Sequence, residues 1–311
     1  MNPTFSTGVT YVSVPVVVTD TEGKAVAGLT DVDFRLYEDN TSQKIERLQP
    51  MTAGVNLALV VDASSSMRLE WSHLRTALLT FIETLRADDR VLLASFDDRV
   101  LVDAEFTSDR GVLRRAVSQM DRRQGTRLYD AVALVATRRV QAIPDREAIV
   151  LLTDGVDTRS RLADGESTRA LIGESHMPVY VVQYDTRRND YSLPSGNRAG
   201  GMGIRDMAPM ALPEGAEDNT QLFLRADAYL AALRNLSGGR LFHAGTLRDL
   251  SGAFAQVAED LGEQYTLGYY PANQARDGTY RSLRIEVNRP NVVVRARVGY
   301  RAASRPPGAR H

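Results

Sequence analysis

Oxygen-bearing side chains follow three stretches of this sequence at points where a strand would end or a helix would begin. Five of them are candidate metal ligands: Asp62, Ser64, Ser66, Thr126 and Asp154. They offer two carboxylates and three hydroxyls, with no imidazole and no thiolate among them. Such an all-oxygen set favours a hard divalent cation, with Mg²⁺ as the first choice and Mn²⁺ or Ca²⁺ as alternatives.

The spacing of the first three residues suits one ion. Asp62 ends an apolar run, and Ser64 and Ser66 follow it at intervals of two residues. Where a strand gives way to a helix, all three oxygens can face one point. Mg²⁺ takes about six ligands and keeps some waters, so five protein groups suffice if some act through water. A simpler interpretation is that the two serines cap the following helix, which serine does well.

The charge of this group predicts its chemistry. The two carboxylates, of Asp62 and Asp154, carry at most the two negative charges that balance a dication. The hydroxyl ligands are neutral and add no negative charge. If only one aspartate binds directly, the ion stays electrophilic, and a carboxylate from a protein partner is its natural completing ligand. The sequence therefore predicts a binding site for an acidic side chain.

The elements that must position these residues alternate between strand and helix patterns. Apolar strands are predicted at 56–61, 90–96, 147–153, 178–184 and 239–243, with an antiparallel hairpin partner at 100–106. Amphipathic helices are predicted after the first strand and at about 109–120, 128–141, 164–175, 225–237 and 246–263. This alternation is typical of an α/β fold with a Rossmann-like, doubly wound, mostly parallel sheet. Ligands bind such sheets at the carboxyl ends of their strands, where the strand order reverses.

The two ends of the chain alternate apolar and polar residues with period two, which indicates half-buried antiparallel strands. We expect residues 1–52 and 264–302 to form two halves of one small β-sandwich, with the α/β domain, residues 53–263, inserted between them. A Gly- and Pro-rich segment at about 187–223 lacks a period and is expected to be a flexible insert, either a partner-contacting flap or a disordered loop. Residues 303–311 are expected to be a disordered tail.

Composition excludes several functions. With 38 basic and 39 acidic residues the net charge is −1, so the chain lacks the excess of positive charge that is typical of nucleic-acid-binding proteins. The chain has no cysteine, so disulfides and thiolate metal sites are excluded. No apolar run reaches the length of about 18 residues that spans a bilayer, and no signal peptide is visible at the start. No nucleophile elbow, Walker loop or dinucleotide fingerprint is present, so we do not expect an enzyme.

The sequence around the candidate ligands resembles the metal-ion-dependent adhesion site of von Willebrand factor type A domains. The matching segments are VVDASSSM, QGTRLYD and LLTDG, within a resemblance over about residues 53–263. The resemblance implies a Mg²⁺ ion at the top of a Rossmann-like sheet and capture of a protein ligand through an acidic residue. Position by position, it implies five metal ligands: Asp62, Ser64, Ser66, Thr126 and Asp154.

The flanking segments are similar to those of bacterial "VWFA-related" proteins of the Acidobacteria type. The chain opens with VPVVVTDTEGKAVAGLTDVDFRLYEDN and closes with YTLGYYPAN, YRSLRIEVN and VRARVGYRA. Such relatives usually carry an export signal, so the resemblance implies a secreted or periplasmic location, with a cytoplasmic location as the alternative. Two alternatives stay open: a subunit of a chelatase-type ATPase assembly, and a metal-dependent hydrolase. The hydrolase lacks support because no histidine is placed as a general base.

Overall fold

The computed structural model describes residues 10–50, 53–64, 71–121, 123–138, 146–175, 177–184 and 219–302. Its strands, in chain order, are β1 (Val12–Asp20), β2 (Phe34–Glu38), β3 (Thr41–Gln43), β4 (Ile45–Pro50), β5 (Asn56–Asp62), β6 (Arg90–Phe96), β7 (Val100–Thr107), β8 (Glu147–Thr153), β9 (Val179–Tyr184), β10 (Leu241–Ala244), β11 (Gln264–Tyr269), β12 (Tyr280–Val287), β13 (Val292–Ala296) and β14 (Gly299–Arg301). Its helices are α1 (Trp71–Thr84), α2 (Arg110–Gln119), α3 (Leu128–Thr137), α4 (Gly165–Ser175), α5 (Asn219–Ser237) and α6 (Leu247–Gly262).

The near-continuous apolar runs form the middle of a six-stranded sheet with the order β10-β9-β8-β5-β6-β7. All neighbouring strands in it are parallel except β6 and β7, which form the predicted antiparallel hairpin. Every residue of β5 is buried, because α1, α2 and α6 cover one face of the sheet and α3, α4 and α5 cover the other. The predicted α/β class is confirmed. The strand order reverses between β5 and β8, so a ligand crevice is expected at their carboxyl ends.

The terminal segments form two four-stranded antiparallel sheets, β13-β1-β11-β4 and β14-β12-β2-β3, which we call the terminal sheets. Each contains strands from both ends of the chain. Alternate residues such as Val14, Leu36 and Leu267 point into one apolar core that the two sheets share. The alternating pattern therefore buries one face of each strand, as period two requires. The exact domain bounds stay a prediction.

Near the end of the chain, the strands differ from those that the alternating sequence pattern suggests. Val294, Ala296, Val298 and Tyr300 suggest one continuous strand, yet β13 and β14 belong to different terminal sheets. Where the chain crosses between the sheets, the pattern inverts, so that Val298 is 49% exposed and Arg297 is 4% exposed. The Arg297 guanidinium donates a hydrogen bond to the carbonyl of Ser13 at 3.0 Å. Burial lowers the pKa of Arg297 to about 10.

Two predicted helix boundaries are wrong. Helix α5 begins at Asn219 rather than near 225, so its first turn overlaps the end of the predicted insert at about 187–223. The helical period was hidden there because Leu224, which is 55% exposed, interrupts the apolar face. Helix α3 ends at Thr137 and not at 141. The rest of the predicted insert and the tail 303–311 lie outside the described residues. None of the helices that the structure describes is long and apolar enough to cross a membrane.

The terminal sheets contact the α/β part of the chain through the end of α6. The buried Asp260 carboxylate accepts hydrogen bonds from Arg295 of β13 at 3.1 Å and from Arg240, just before β10, at 3.3 Å. Burial raises the pKa of Asp260, and the two arginines oppose that rise. Next to this ion pair the backbone of Gly238 lies against residues 296 and 297.

The close approach at Gly238 gives a test of this arrangement. Gly238 has a φ of +75°, and a Cβ there would lie 2.4 Å from the carbonyl carbon of Ala296. Gly238→Ala should lower the free energy of unfolding by about 1–2 kcal/mol from the left-handed backbone alone, with the steric clash added. Gly252→Ala, in α6, is the control. A Cβ at this position meets nothing within 4 Å, so the variant should raise the free energy of unfolding by about 0.5–1 kcal/mol. Urea unfolding measures both; similar midpoints for the two variants would contradict the packing.

Candidate metal centre

Asp62 is the last residue of β5, and its side chain is completely buried. Its carboxylate accepts a hydrogen bond from the backbone N–H of Ser64 at 2.9 Å and another from the Thr153 hydroxyl at 2.9 Å. The Ser64 hydroxyl bonds the same carboxylate. Because Thr153 ends the neighbouring strand β8, two adjacent strand ends fix the position of Asp62.

Asp154 follows β8 directly and is also buried. Its carboxylate accepts the backbone N–H of Val156 at 3.0 Å, which closes a tight turn. Gly155 has a φ of +88°, and a Cβ there would lie 2.7 Å from Leu230 Cδ1 in α5. The sequence Asp-Gly is therefore needed at this point, because only glycine combines this backbone conformation with such close packing.

The two carboxylates repel each other. Burial is the largest cause that raises the pKa of Asp62, the charge of Asp154 is the second, and together they raise it to about 7. Hydrogen bonds from Ser64 and Thr153 lower the pKa of Asp62 without offsetting that rise. A buried pair of like charges is stabilised either by a proton or by a cation. The donor set thus fits a dication.

Thr126 reaches the same region from the loop that precedes α3. Its backbone N–H donates to the Thr158 hydroxyl oxygen at 3.0 Å, and its carbonyl accepts the N–H groups of Thr158 at 3.0 Å and Arg159 at 2.9 Å. The loop before α3 is therefore bonded to the loop that follows Asp154. Gly125, with a φ of +95°, provides the turn that buries Thr126.

A third connection joins the loop after β5. Ser64 forms an isolated parallel bridge with Arg123, so the backbone segments that carry Ser64 and Thr126 are also neighbours. The structure thus brings Asp62, Ser64 and Asp154 together and places Thr126 on an adjoining loop. Ser66 lies outside the described residues. Their assignment as metal ligands stays a prediction.

The carboxylate and imidazole side chains of the described residues are too few at this position to hold a metal ion by themselves. Among the residues that the structure describes, no three Asp, Glu or His side chains gather into a group that could hold a metal ion. A centre here depends on hydroxyl oxygens beside the two aspartates, as the residue types suggested. The hydroxyls add donors without adding charge, so a dication bound here would keep part of its electrophilic character.

Sequence reasoning missed two contributors. Thr153 positions Asp62, and its only signal is its place directly before Asp154. The buried Asp130 carboxylate, in the first turn of α3, accepts the backbone N–H groups of Leu162 and Ala163, each at 2.9 Å, and of Arg161 at 3.1 Å. We call residues 155–163 the Asp130 loop. Its partners are main-chain groups some thirty residues away, and no sequence pattern reports them.

The repulsion between the carboxylates predicts a pH dependence of the metal-free protein. Because the pKa of Asp62 is about 7 when folded and about 3.9 when unfolded, this group favours folding most below pH 4, and that contribution is lost as the pH rises through 7. Asp62→Asn should remove this loss, so that with chelator at pH 8 the variant is at least as stable as the parent. Thermal unfolding between pH 5 and 8 measures it.

The matched control is Asp109→Asn. Asp109 caps α2, and hydrogen bonds from Val112 and Gly111 lower its pKa, so it titrates below this window. The Asp109 variant should follow the parent curve between pH 5 and 8. A parent whose stability does not fall over that range would contradict the buried like-charge pair.

The role of Asp130 can be tested by limited proteolysis. Asp130→Ala leaves three backbone N–H groups of the Asp130 loop without their acceptor, so trypsin should cleave after Arg159 and Arg161 sooner than in the parent. Asp109→Ala is the control, since loss of that helix cap costs about 1 kcal/mol without touching this loop. Mass spectrometry of early fragments gives the readout; equal cleavage of the loop in both variants would rule out the role.

Comparison with known proteins agrees with this geometry. Residues 57–156, which run from β5 past the Asp-Gly turn, match the sequence model of the von Willebrand factor type A domain. No curated protein sequence matches the chain. The fold is similar to that of a von Willebrand factor type A structure from Catenulispora acidiphila, with a TM-score of 0.50 at 11% identity over 97% of this chain and 76% of that one.

Two further solved structures are similar over part of the chain. The vWF domain of the type V pili tip protein Mfa5 from Porphyromonas gingivalis is 12% identical, with a TM-score of 0.48, over 67% of this chain and 95% of that one. Proximal thread matrix protein 1 from the mussel byssus, with a zinc-occupied MIDAS motif, is 12% identical, with a TM-score of 0.48, over 72% of this chain and 49% of that one. At such identities a structural likeness concerns the fold alone. The sequence match thus relates residues 57–156 to the von Willebrand factor type A domain.

Proposed function

We propose that this chain is a metal-dependent protein-binding module that captures an acidic side chain of a partner. The observation that carries the proposal is the buried Asp62 carboxylate, held against Asp154 at the point where the strand order reverses. The proposed ligands are the five oxygen-bearing residues of the three loops: Asp62, Ser64, Ser66, Thr126 and Asp154. Mg²⁺ is the proposed ion, because the donors are all oxygen.

The roles of the protein groups differ. Asp62 supplies a carboxylate that hydrogen bonds from Ser64 and Thr153 hold in place. Asp154 supplies the second negative charge from the adjoining turn, and the Thr126 hydroxyl supplies a neutral oxygen. A bound Mg²⁺ would supply an electrophilic centre whose open position an incoming carboxylate completes. The resemblance of the flanking segments to exported proteins supports a location outside the cytoplasm as part of this proposal.

The hydroxyl of Thr126 offers a sharp test of metal binding. Thr126→Val keeps the backbone hydrogen bonds to Thr158 and Arg159 and removes only the hydroxyl oxygen. We expect Mg²⁺ affinity, measured by calorimetry, to fall by at least about tenfold, the size of effect seen when groups that support a metal site are removed. Thr137→Val, at the other end of α3, is the matched control and should bind Mg²⁺ like the parent. Equal affinities for both variants would remove Thr126 from the site.

Capture of a partner is tested with the parent chain and Asp62→Ala. A pull-down from the native organism should recover a protein with Mg²⁺ present and lose it on adding chelator. Asp62→Ala should recover nothing under either condition, because it lacks the central carboxylate. A partner that is retained in chelator and by the variant would refute metal-dependent capture. Co-purification of an ATPase would instead favour the chelatase-type alternative.

A further inference from the structure

Three exposed arginines lie on the segments that precede Thr126 and follow Asp154: Arg123, Arg159 and Arg161. We call them the cationic rim. Arg123 is bridged to Ser64, and the N–H of Arg159 donates to the carbonyl of Thr126. The Arg159 side chain lies over Gly125, where a Cβ would be 2.9 Å from Arg159 Cγ. Arg123 and Arg159 therefore adjoin the segments of two proposed ligands, and Arg161 lies two residues beyond Arg159 on the Asp130 loop.

Four other aspartates on this side of the sheet already form ion pairs or accept hydrogen bonds within the protein. Arg99 pairs with Asp97 at 3.1 Å and with Asp98 at 3.5 Å. Asp130 accepts the backbone of the Asp130 loop, and Asp157 accepts the N–H of Tyr129 at 3.2 Å. By contrast, within the described part of the chain the guanidinium groups of the cationic rim form no ion pair. These three side chains are exposed to solvent.

The rim is also preorganised. Two of its members, Arg159 and Arg161, lie on the Asp130 loop, whose backbone is held by the Asp130 carboxylate and by Thr126. A partner that binds there does not have to order the loop first, which removes part of the entropic cost of association. The whole chain carries a net charge of −1, so this positive patch is local. Local charge favours a short acidic segment over a long polyanion.

We propose that the partner presents an acidic segment, in which one carboxylate reaches the metal centre and neighbouring carboxylates pair with Arg123, Arg159 and Arg161. The inference rests on the proposed function and adds a specificity for clustered carboxylates. Steering by such charges raises the association rate and the discrimination between partners. The segment is part of a protein; a nucleic acid is an alternative outcome of the test.

Two fluorescent peptides test the inference by anisotropy with Mg²⁺ present: hexaglutamate, and a heptapeptide with one glutamate among glycines. Exposed ion pairs contribute modestly, so three of them should make hexaglutamate bind about tenfold more tightly than the single-glutamate peptide. That advantage should shrink between about 50 and 300 mM NaCl, because exposed charges are screened. Equal binding of the two peptides would overturn the inference, as would competition by an oligothymidylate.

Charge-neutral variants complete the design. The triple change Arg123→Gln, Arg159→Gln and Arg161→Gln should abolish the advantage of hexaglutamate and weaken the binding of the single-glutamate peptide far less. A control triple of exposed arginines on the terminal sheets should keep the advantage: Arg35→Gln, Arg47→Gln and Arg301→Gln. Retention of the advantage by the rim triple would overturn the inference. If neither peptide responds to chelator, the proposed function fails, and the rim variants then still report whether the arginines select carboxylates.

Discussion

The reversal of strand order between β5 and β8 is the constraint on which the site depends. Connections from these two strands leave toward opposite faces of the sheet, so a crevice opens at their carboxyl ends. Asp62 and Asp154 stand at the two sides of it, buried and of like charge. Burial and the charge of Asp154 raise the pKa of Asp62, so the doubly ionised pair is disfavoured without a counter-charge. A cation bound between the two carboxylates would remove this repulsion.

Hydrogen bonds between segments distant in sequence hold this part of the structure in place. Thr153 links the two strand ends, Thr158 links the Thr126 loop to the turn after Asp154, and Asp130 fixes the backbone beyond that turn. Each bond joins segments distant in sequence, so the loop before α3 and the loop after β8 are fixed to each other. The backbone that carries Arg159 is therefore held in place.

Much of the fold could be predicted from the sequence, because strands and turns have patterns within a few consecutive residues. The apolar runs that became β5 and β8, and the Asp-Gly turn after β8, identified the site's two strand ends. The crossing at Arg297 was not readable, since the apolar alternation continues through it while the chain changes sheets. The role of Asp130 was equally hidden, because it binds backbone N–H groups that any residue types would provide. Sequence patterns report periodicity and residue chemistry; they do not report which loop lies beside which.

The position of the terminal sheets follows from the same topology. Strands β5 and β8, which end at Asp62 and Thr153, begin at the opposite end of the sheet, and α6 runs back toward that end before joining β11. The ion pairs of Asp260 with Arg240 and Arg295 lie there, with the close contact of Gly238. Removing one partner from a buried pair costs several kcal/mol, about 3–5, because a charge is left uncompensated. The terminal sheets are thus held near the amino ends of the central strands by interactions that are costly to break, at the opposite end of the sheet from Asp62 and Asp154.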